Sequence, residues 1–124
     1  MNRELRTVLT SHFAFINDCE ISIGDGWFPL VWNLCEDLEK LKLPNLKVAQ
    51  VKEKFAYLRF YVDYGSKDAY ELIREAERKS GSMCEECGKP GCMRSRGGWL
   101  ITACDKHAID RGGKFMPPLK DDNG

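Results

Sequence analysis

Four side chains that can bind a metal ion lie in one short segment near the carboxyl end of this 124-residue chain. They form two pairs, Cys84-x2-Cys87 and Cys104-x2-His107, which are separated by 16 residues. This spacing is typical of zinc sites, in which the ligands close a tetrahedron around the ion. Three thiolates and one imidazole leave no open position for a substrate, so the sequence predicts a structural Zn²⁺ ion held by these four residues.

The remaining cysteines are interpreted differently. A redox pair at Cys84 and Cys87 is the main alternative to zinc, but no thioredoxin-like βαβ pattern surrounds it. Cys92 can replace one ligand or remain a free thiol, and its spacing from Cys87 fits a zinc knuckle less well, so it is placed outside the site. Cys19 and Cys35 are expected to be small apolar core residues.

The residues around the ligand pairs predict a zinc-finger module over residues 82–113. Gly97-Gly98 marks a hairpin turn before a short strand over 99–102. Cys104 and His107 are expected to lie at the start of a final helix. A knuckle, a hairpin and a helix start in this order are typical of a treble-clef-like finger. Because the module has few large apolar side chains, its folding is expected to require the metal.

Apolar periodicity predicts an α+β body over residues 1–80, with the zinc-finger module rigidly attached to it. Apolar side chains recur at helical spacing in three segments: 5–16, 27–41, and the stretch between Gly65-Ser66 and Gly81. Asp25, which lies between two glycines, is expected to cap the second helix.

A β-hairpin is predicted between the second and third helices. Residues 57–63 alternate apolar and polar side chains, residues 48–53 are the expected partner strand, and the turn is placed near 54–56. The sequence therefore predicts helices packed on a β-hairpin. The tail over 114–124 contains two prolines and ends in polar residues, so we expect it to be mobile.

Charge and hydropathy argue against several classes of protein. The chain has 19 basic and 19 acidic residues, unlike the strongly basic proteins that bind duplex DNA. It has neither a continuous apolar run long enough to cross a bilayer nor a signal-peptide pattern. We therefore expect a cytoplasmic protein with no membrane partner, in a reducing compartment where clustered cysteines bind metal more often than they form disulfides.

Basic residues near the ligand pairs raise the alternative of a nucleic-acid-binding zinc module. The candidate contacts are Lys89, Arg94, Arg96, Arg111 and Trp99, whose ring can stack on a base. The same cations can instead offset the negative charge of three thiolates and solvate a loop. The neutral overall charge favours this second interpretation.

No catalytic constellation is visible in the sequence. A histidine–metal nuclease, a chemistry that treble clefs can host, needs a further histidine as general base. His107 is already assigned to the metal. His12 lies on the apolar face of the first predicted helix, with no acid, thiol or second histidine at helical spacing. We therefore expect a non-enzymatic protein in which His12 lies at the edge of the core.

Most of the chain resembles a group of small proteins encoded by bacteriophages and prophages. The resemblance spans residues 20–108 and rests on GDGWFPLVWNLCEDLE, VKEKFAYLRFYV, CEECGKPG and CDKHA. That group commonly has Gly-Gly after KF, where this chain has Ala56-Tyr57, a departure that concerns the turn geometry rather than the strand pairing. The resemblance implies no known reaction. It implies a phage context, the host cytoplasm, and action by binding a host protein, such as a component of an antiviral defence system.

Overall fold

The computed structural model describes residues 1–119 and has the α+β architecture expected from the sequence. Residues 1–119 contain three α-helices: α1 (Arg3–His12), α2 (Phe28–Lys40) and α3 (Lys67–Ser80). The same residues contain five strands: β1 (Glu20–Ser22), β2 (Lys47–Lys54), β3 (Tyr57–Asp63), β4 (Cys92–Arg96) and β5 (Trp99–Ala103). Within the described range, every helix is too short or too polar to cross a membrane.

Short polar side chains start two of the helices. The side chain of Asn2 accepts a hydrogen bond from the N–H of Leu5 in α1, and that of Ser66 accepts one from Ala69 in α3. The prediction that Asp25 caps α2 is wrong. A 3₁₀ turn over Asp25–Trp27 precedes this helix, and the Asp25 carboxylate accepts hydrogen bonds from the backbone and side chain of Asn2 instead.

The predicted hairpin is present and forms part of a three-stranded sheet. β2 is the central strand; it pairs antiparallel with β3 and parallel with β1. The β2–β3 register shifts between Val48 and Gln50. Because this bulge inserts one residue, Val48 and Val51 both face the core although they are three positions apart.

The core lies in the body, where α3 packs against β3 and α2. Its largest fully buried side chains are Trp27 and Phe13, which do not contact solvent. Alternation along β3 buries Leu58 and Phe60 against the helices and leaves Tyr61 exposed. His12 is exposed at the end of α1, where its ring packs against Phe13 and Trp32.

The carboxyl-terminal part is built on the β4–β5 hairpin. Gly97 and Gly98 form its turn with φ angles of 56° and 84°, which favour glycine. The predicted final helix is wrong, because the second ligand pair lies on a single 3₁₀ turn, Asp105–His107, and no α-helix follows within residues 1–119. The Asp110 carboxylate accepts the N–H groups of Gly112 and Lys114, and this local turn competes with helix formation.

The described part of the tail, which the sequence predicts to be mobile, is hydrogen-bonded to the rest of the carboxyl-terminal part. The N–H of Ser95 donates to the carbonyl of Pro117, and the N–H of Leu119 donates to that of Met93. Met116 is only 1% exposed. Residues 117–119 therefore lie along the edge of β4, and residues 114–116 bond to the 108–110 segment. The rest of the predicted mobile tail, 120–124, lies outside the described residues.

Candidate metal centre

The structure brings the four predicted ligands into one cluster. Their ligand atoms, the three thiol sulfurs and a ring nitrogen of His107, all lie within 4.8 Å of one another. The sulfurs of Cys87 and Cys104 are 3.7 Å apart, and Nδ1 of His107 lies 3.3 Å from Cys104 and 3.6 Å from Cys84. Tetrahedral coordination with bonds of about 2.3 Å to sulfur and about 2.0 Å to nitrogen predicts edges of about 3.5–3.8 Å. The cluster can therefore hold one tetrahedral metal ion.

Tight turns aim each ligand pair at the centre. In the first, the knuckle over residues 84–89, the N–H of Gly88 donates to the carbonyl of Cys84, and the N–H of Cys84 donates to that of Lys89. Gly88 has a φ of 77°, the left-handed conformation that glycine adopts without steric cost. In the second turn, the N–H of His107 donates to the carbonyl of Cys104, so the side chains of this pair project to the same side.

Hydrogen bonding favours the thiolate of Cys104, the form that binds a metal. Burial raises the pKa of this thiol, but hydrogen bonds from the backbone and ring of His107 and from the neighbouring thiols outweigh it and lower the pKa to about 6. Cys84, Cys87 and Cys104 are all free of disulfide bonds. The three sulfurs are therefore chemically available as ligands.

The Gly24-Asp25-Gly26 motif has a role that the sequence analysis missed, since it contacts the backbone of the knuckle. The N–H of Gly26 donates to the carbonyl of Glu85 at 2.7 Å, and that of Gly24 donates to the Glu85 carboxylate at 2.8 Å. A Cβ on Gly26 would lie only 2.6 Å from the backbone nitrogen of Cys87. The glycines thus allow the start of α2 to approach the metal-binding turn. The signal for this contact in the sequence is a pair of glycines just before a helix that begins beside a tryptophan.

Two side chains also join the body to the carboxyl-terminal part that contains the ligands, residues 82–119, which we call the metal module. The indole N–H of Trp27 donates to the carbonyl of Met83, and the hydroxyl of Thr102 donates to the carbonyl of Ala56 in the β2–β3 turn. Both hydrogen bonds link residues more than 40 positions apart. The metal module is therefore in direct contact with both the helical and the hairpin parts of the body.

Arg94, one of the predicted nucleic-acid contacts, is buried and therefore not available to a nucleic acid. It is 3% exposed, and its guanidinium donates to the carbonyls of Ala103 and Met116 and to the carboxylate of Asp105. Three acceptors from three different segments satisfy this buried cation. Arg94 thus fixes the chain on both sides of Cys104, the first residue of the second ligand pair.

The other predicted nucleic-acid contacts lie at the surface but do not form a free basic patch. Arg96 makes an ion pair with Asp110 at 3.2 Å. The guanidinium of Arg111 lies 5.4 Å from the centre of the Trp99 ring, and this indole is 64% exposed. Lys89 is exposed on the knuckle.

The three cysteines placed outside the site remain outside the ligand cluster. Cys35 is fully buried in the core, and Cys19 is partly buried against it, as predicted. Burial raises the pKa of the Cys19 thiol to about 11 and raises that of Cys35 even further. Cys92 is half-buried at the start of β4, opposite Ala103.

No protein-family description, curated protein or solved structure matches this chain. The site is therefore interpreted from its own geometry and chemistry.

Proposed function

We propose that this protein is a small, zinc-stabilised, non-enzymatic protein of phage type that acts in the host cytoplasm by binding a host protein, such as a component of an antiviral defence system. The observation that carries the proposal is the closed set of four ligands at the contact between the metal module and the body. Four protein ligands complete a tetrahedral shell. An ion held in this way stabilises the fold and has no position for an activated water.

Zinc is the metal that this ligand set favours. Thiolates and imidazole are soft to borderline donors, and a closed tetrahedral set of three sulfurs and one nitrogen is characteristic of structural zinc. The knuckle, the β4–β5 hairpin and the second ligand pair follow one another in treble-clef order. We class the module as a treble-clef-like finger with a 3₁₀ turn in place of the usual helix.

Exposed apolar side chains on the metal module support protein binding rather than catalysis. Trp99 is 64% exposed, Ile109 53% and Phe115 55%, and all three belong to the carboxyl-terminal part of the chain. Large aromatic side chains supply much of the binding energy in protein interfaces. A metal ion bound by the four ligands would hold the segments that carry these side chains in a fixed conformation.

The test is the recovery and reconstitution of a partner. Zinc-loaded, tagged protein is incubated with bacterial lysate, and the proteins it retains are quantified against a Trp99→Ala variant. Each specifically retained protein is then purified and titrated with the wild-type chain. We expect at least one to form a complex of defined stoichiometry. Failure of every retained protein to form such a complex contradicts the proposal.

Nucleic-acid binding is the second candidate, and one observation favours it: Arg111 and the exposed Trp99 ring are paired at the surface. Such a pair can stack on an unpaired base. The burial of Arg94 and the pairing of Arg96 remove two of the cations that this function would use. Salt-dependent binding of a labelled single-stranded oligonucleotide, lost in Arg111→Ala, would favour it over protein binding.

A further inference from the structure

A cavity of about 400 Å³ opens on the metal module beside β5. Its apolar lining includes Trp99, Ile101, Ile109 and Met116. The charged residues that also line it are Glu53, Glu85, Asp110 and Arg111. Glu53 belongs to β2 and Glu85 to the metal-binding knuckle, so the groove is formed jointly by the body and the metal module. This position makes its shape dependent on the contacts around the metal.

The outer edge of β5 runs along this groove and has unpaired backbone groups. On β4, the N–H of Ser95 and the carbonyl of Met93 bond to the tail, away from β5. Their partners across the hairpin, Leu100 and Thr102, therefore direct their own backbone groups away from β4. The carbonyl of Thr102 accepts the N–H of Glu85, whereas the N–H and carbonyl of Leu100 have no partner within residues 1–119.

Glu53 and Glu85 contribute negative charge to the groove, and the cation of its lining, Arg111, lies over the Trp99 ring. One oxygen of Glu53 accepts the N–H of Ala56 at 2.8 Å, and one oxygen of Glu85 accepts that of Gly24, also at 2.8 Å. Neither carboxylate makes an ion pair within the described residues. The other acid of the groove, Asp110, is already paired with Arg96. A ligand with positive charge therefore complements Glu53 and Glu85.

We infer that the groove binds an extended, basic and apolar peptide segment of a protein partner, which adds to β5 as a further strand. The inference rests on the proposed function and specifies the chemistry of the partner. The backbone of the peptide would pair with Leu100, an apolar side chain would lie against Trp99 and Ile109, and a lysine or arginine would face Glu53 and Glu85. Main-chain hydrogen bonds supply affinity in strand addition, and side-chain pockets supply specificity.

The described end of the tail, up to Leu119, does not occupy the groove. Leu119 bonds to Met93, so the tail reaches the opposite edge of the β4–β5 hairpin. The residues that follow include Asp121 and Asp122, whose charge has the same sign as that of Glu53 and Glu85. A separate basic segment is the complementary ligand.

The test uses labelled nine-residue peptides and zinc-loaded full-length protein in fluorescence anisotropy. Each peptide alternates valine or leucine with lysine, glutamate or serine. We expect the lysine series to bind and the glutamate series not to bind. N-methylation of alternate residues on one edge of the peptide should abolish binding, and on the other edge should leave it unchanged, because only one edge pairs with β5.

Protein variants assign the binding to the groove. We expect Trp99→Ala to raise the Kd of the lysine peptides about tenfold or more. Glu53→Gln combined with Glu85→Gln keeps both hydrogen-bond acceptors and should raise the Kd about fivefold, because each removes one charge pair. Glu36→Gln combined with Glu39→Gln, an equal change of charge on the exposed face of α2, is the matched control and should have no effect.

Three results would overturn the inference. In the first, the peptides do not bind, and a reconstituted partner binds the wild-type protein and the groove variants equally. This result leaves the proposed function intact. The second is absence of both peptide and partner binding, which removes the proposed function as well. The third is binding of a twelve-residue oligothymidylate that Trp99→Ala abolishes, with no binding of the lysine peptides, which assigns the surface to nucleic acid.

Discussion

Arg94 shows how one residue can hold a ligand pair in place without touching the metal. Its guanidinium spans the end of β5, the 3₁₀ turn and the tail through bonds to Ala103, Asp105 and Met116. A buried cation is stable only when its donors are satisfied, so the three acceptors and the arginine depend on one another. Cys104 lies between two of these acceptors and is positioned by them.

Arg94→Met is expected to lower the free energy of unfolding by about 3 kcal/mol, because it leaves the two buried carbonyls of Ala103 and Met116 without their donor. Urea unfolding of the zinc-loaded protein measures the loss. Arg96→Met removes an arginine that is 42% exposed and is the control, with an expected loss of about 1 kcal/mol or less. Equal losses of unfolding free energy in the two variants would show that the contacts of Arg94 stabilise the fold no more than an exposed ion pair does.

At the same scale, Gly26 allows the knuckle backbone to approach closely because it has no side chain. Gly26→Ala places a methyl group against the knuckle backbone, and we expect a loss of about 1–3 kcal/mol in unfolding free energy together with weaker zinc binding. Competition with a chromophoric chelator measures the affinity. Gly112→Ala, where the nearest atom to the new Cβ is 3.4 Å away, should change neither quantity appreciably.

At the scale of the element, the turn of the β2–β3 hairpin carries local strain. Phe55 and Ala56 occupy its two central positions with φ angles of 52° and 72°. Two positive φ angles in a two-residue turn define the turn type that favours Asn-Gly. Hydrogen bonds from the N–H of Ala56 to Glu53 and from Thr102 to the carbonyl of Ala56 hold this conformation despite its residue types. The strand pairing is therefore supported by contacts from outside the hairpin.

Phe55→Asn is expected to raise the unfolding free energy by about 0.5–1 kcal/mol, because asparagine tolerates the left-handed conformation and Phe55 buries little surface. Thermal or urea unfolding of zinc-loaded protein provides the measurement. Phe55→Ala removes the same ring but keeps the strain, so it should give no such gain. If alanine stabilises as much as asparagine, loss of the exposed ring rather than relief of strain is the cause.

At the scale of the whole molecule, the metal module and the body share their stabilising contacts. Trp27 in the core bonds to Met83, and the knuckle bonds to the residues before α2. Loss of the metal should therefore affect more than the finger itself, because the groups that bond to the knuckle would lose their partners. We expect one zinc ion per chain, and a substantially lower midpoint of thermal unfolding after chelation.

Thiol titration of the native protein checks this assignment residue by residue. Chelation at neutral pH should expose three additional reactive thiols, those of Cys84, Cys87 and Cys104, to a disulfide reagent. Cys19 and Cys35 should stay slow, because their raised pKa values keep them protonated; for Cys19, reactivity should increase with pH up to about 11. Cys92→Ser should leave both the zinc content and the three released thiols unchanged. A loss of zinc in that variant would make Cys92 a ligand.

Local patterns in the sequence were sufficient for the three helices, the β2–β3 hairpin and the ligand set. The alternation of Leu58 and Phe60 predicts β3, and the spacing of the two ligand pairs predicts their convergence. These features could be predicted because backbone periodicity acts over a few residues, and metal coordination brings its ligands to one centre. The final helix was predicted wrongly, because the carboxylate turn at Asp110 competes with helical hydrogen bonding.

The amino-acid sequence by itself determined the three helices and the hairpin of the body, and the four side chains that can share a metal ion. Only the tertiary structure decided that β1 pairs in parallel with β2, that Arg94 is buried, and that the glycines beside Asp25 contact the knuckle. The physical reason is distance along the chain. The bond between Gly24 and Glu85 joins residues 61 positions apart, and such a contact leaves no periodic trace because it depends on how the finished elements pack.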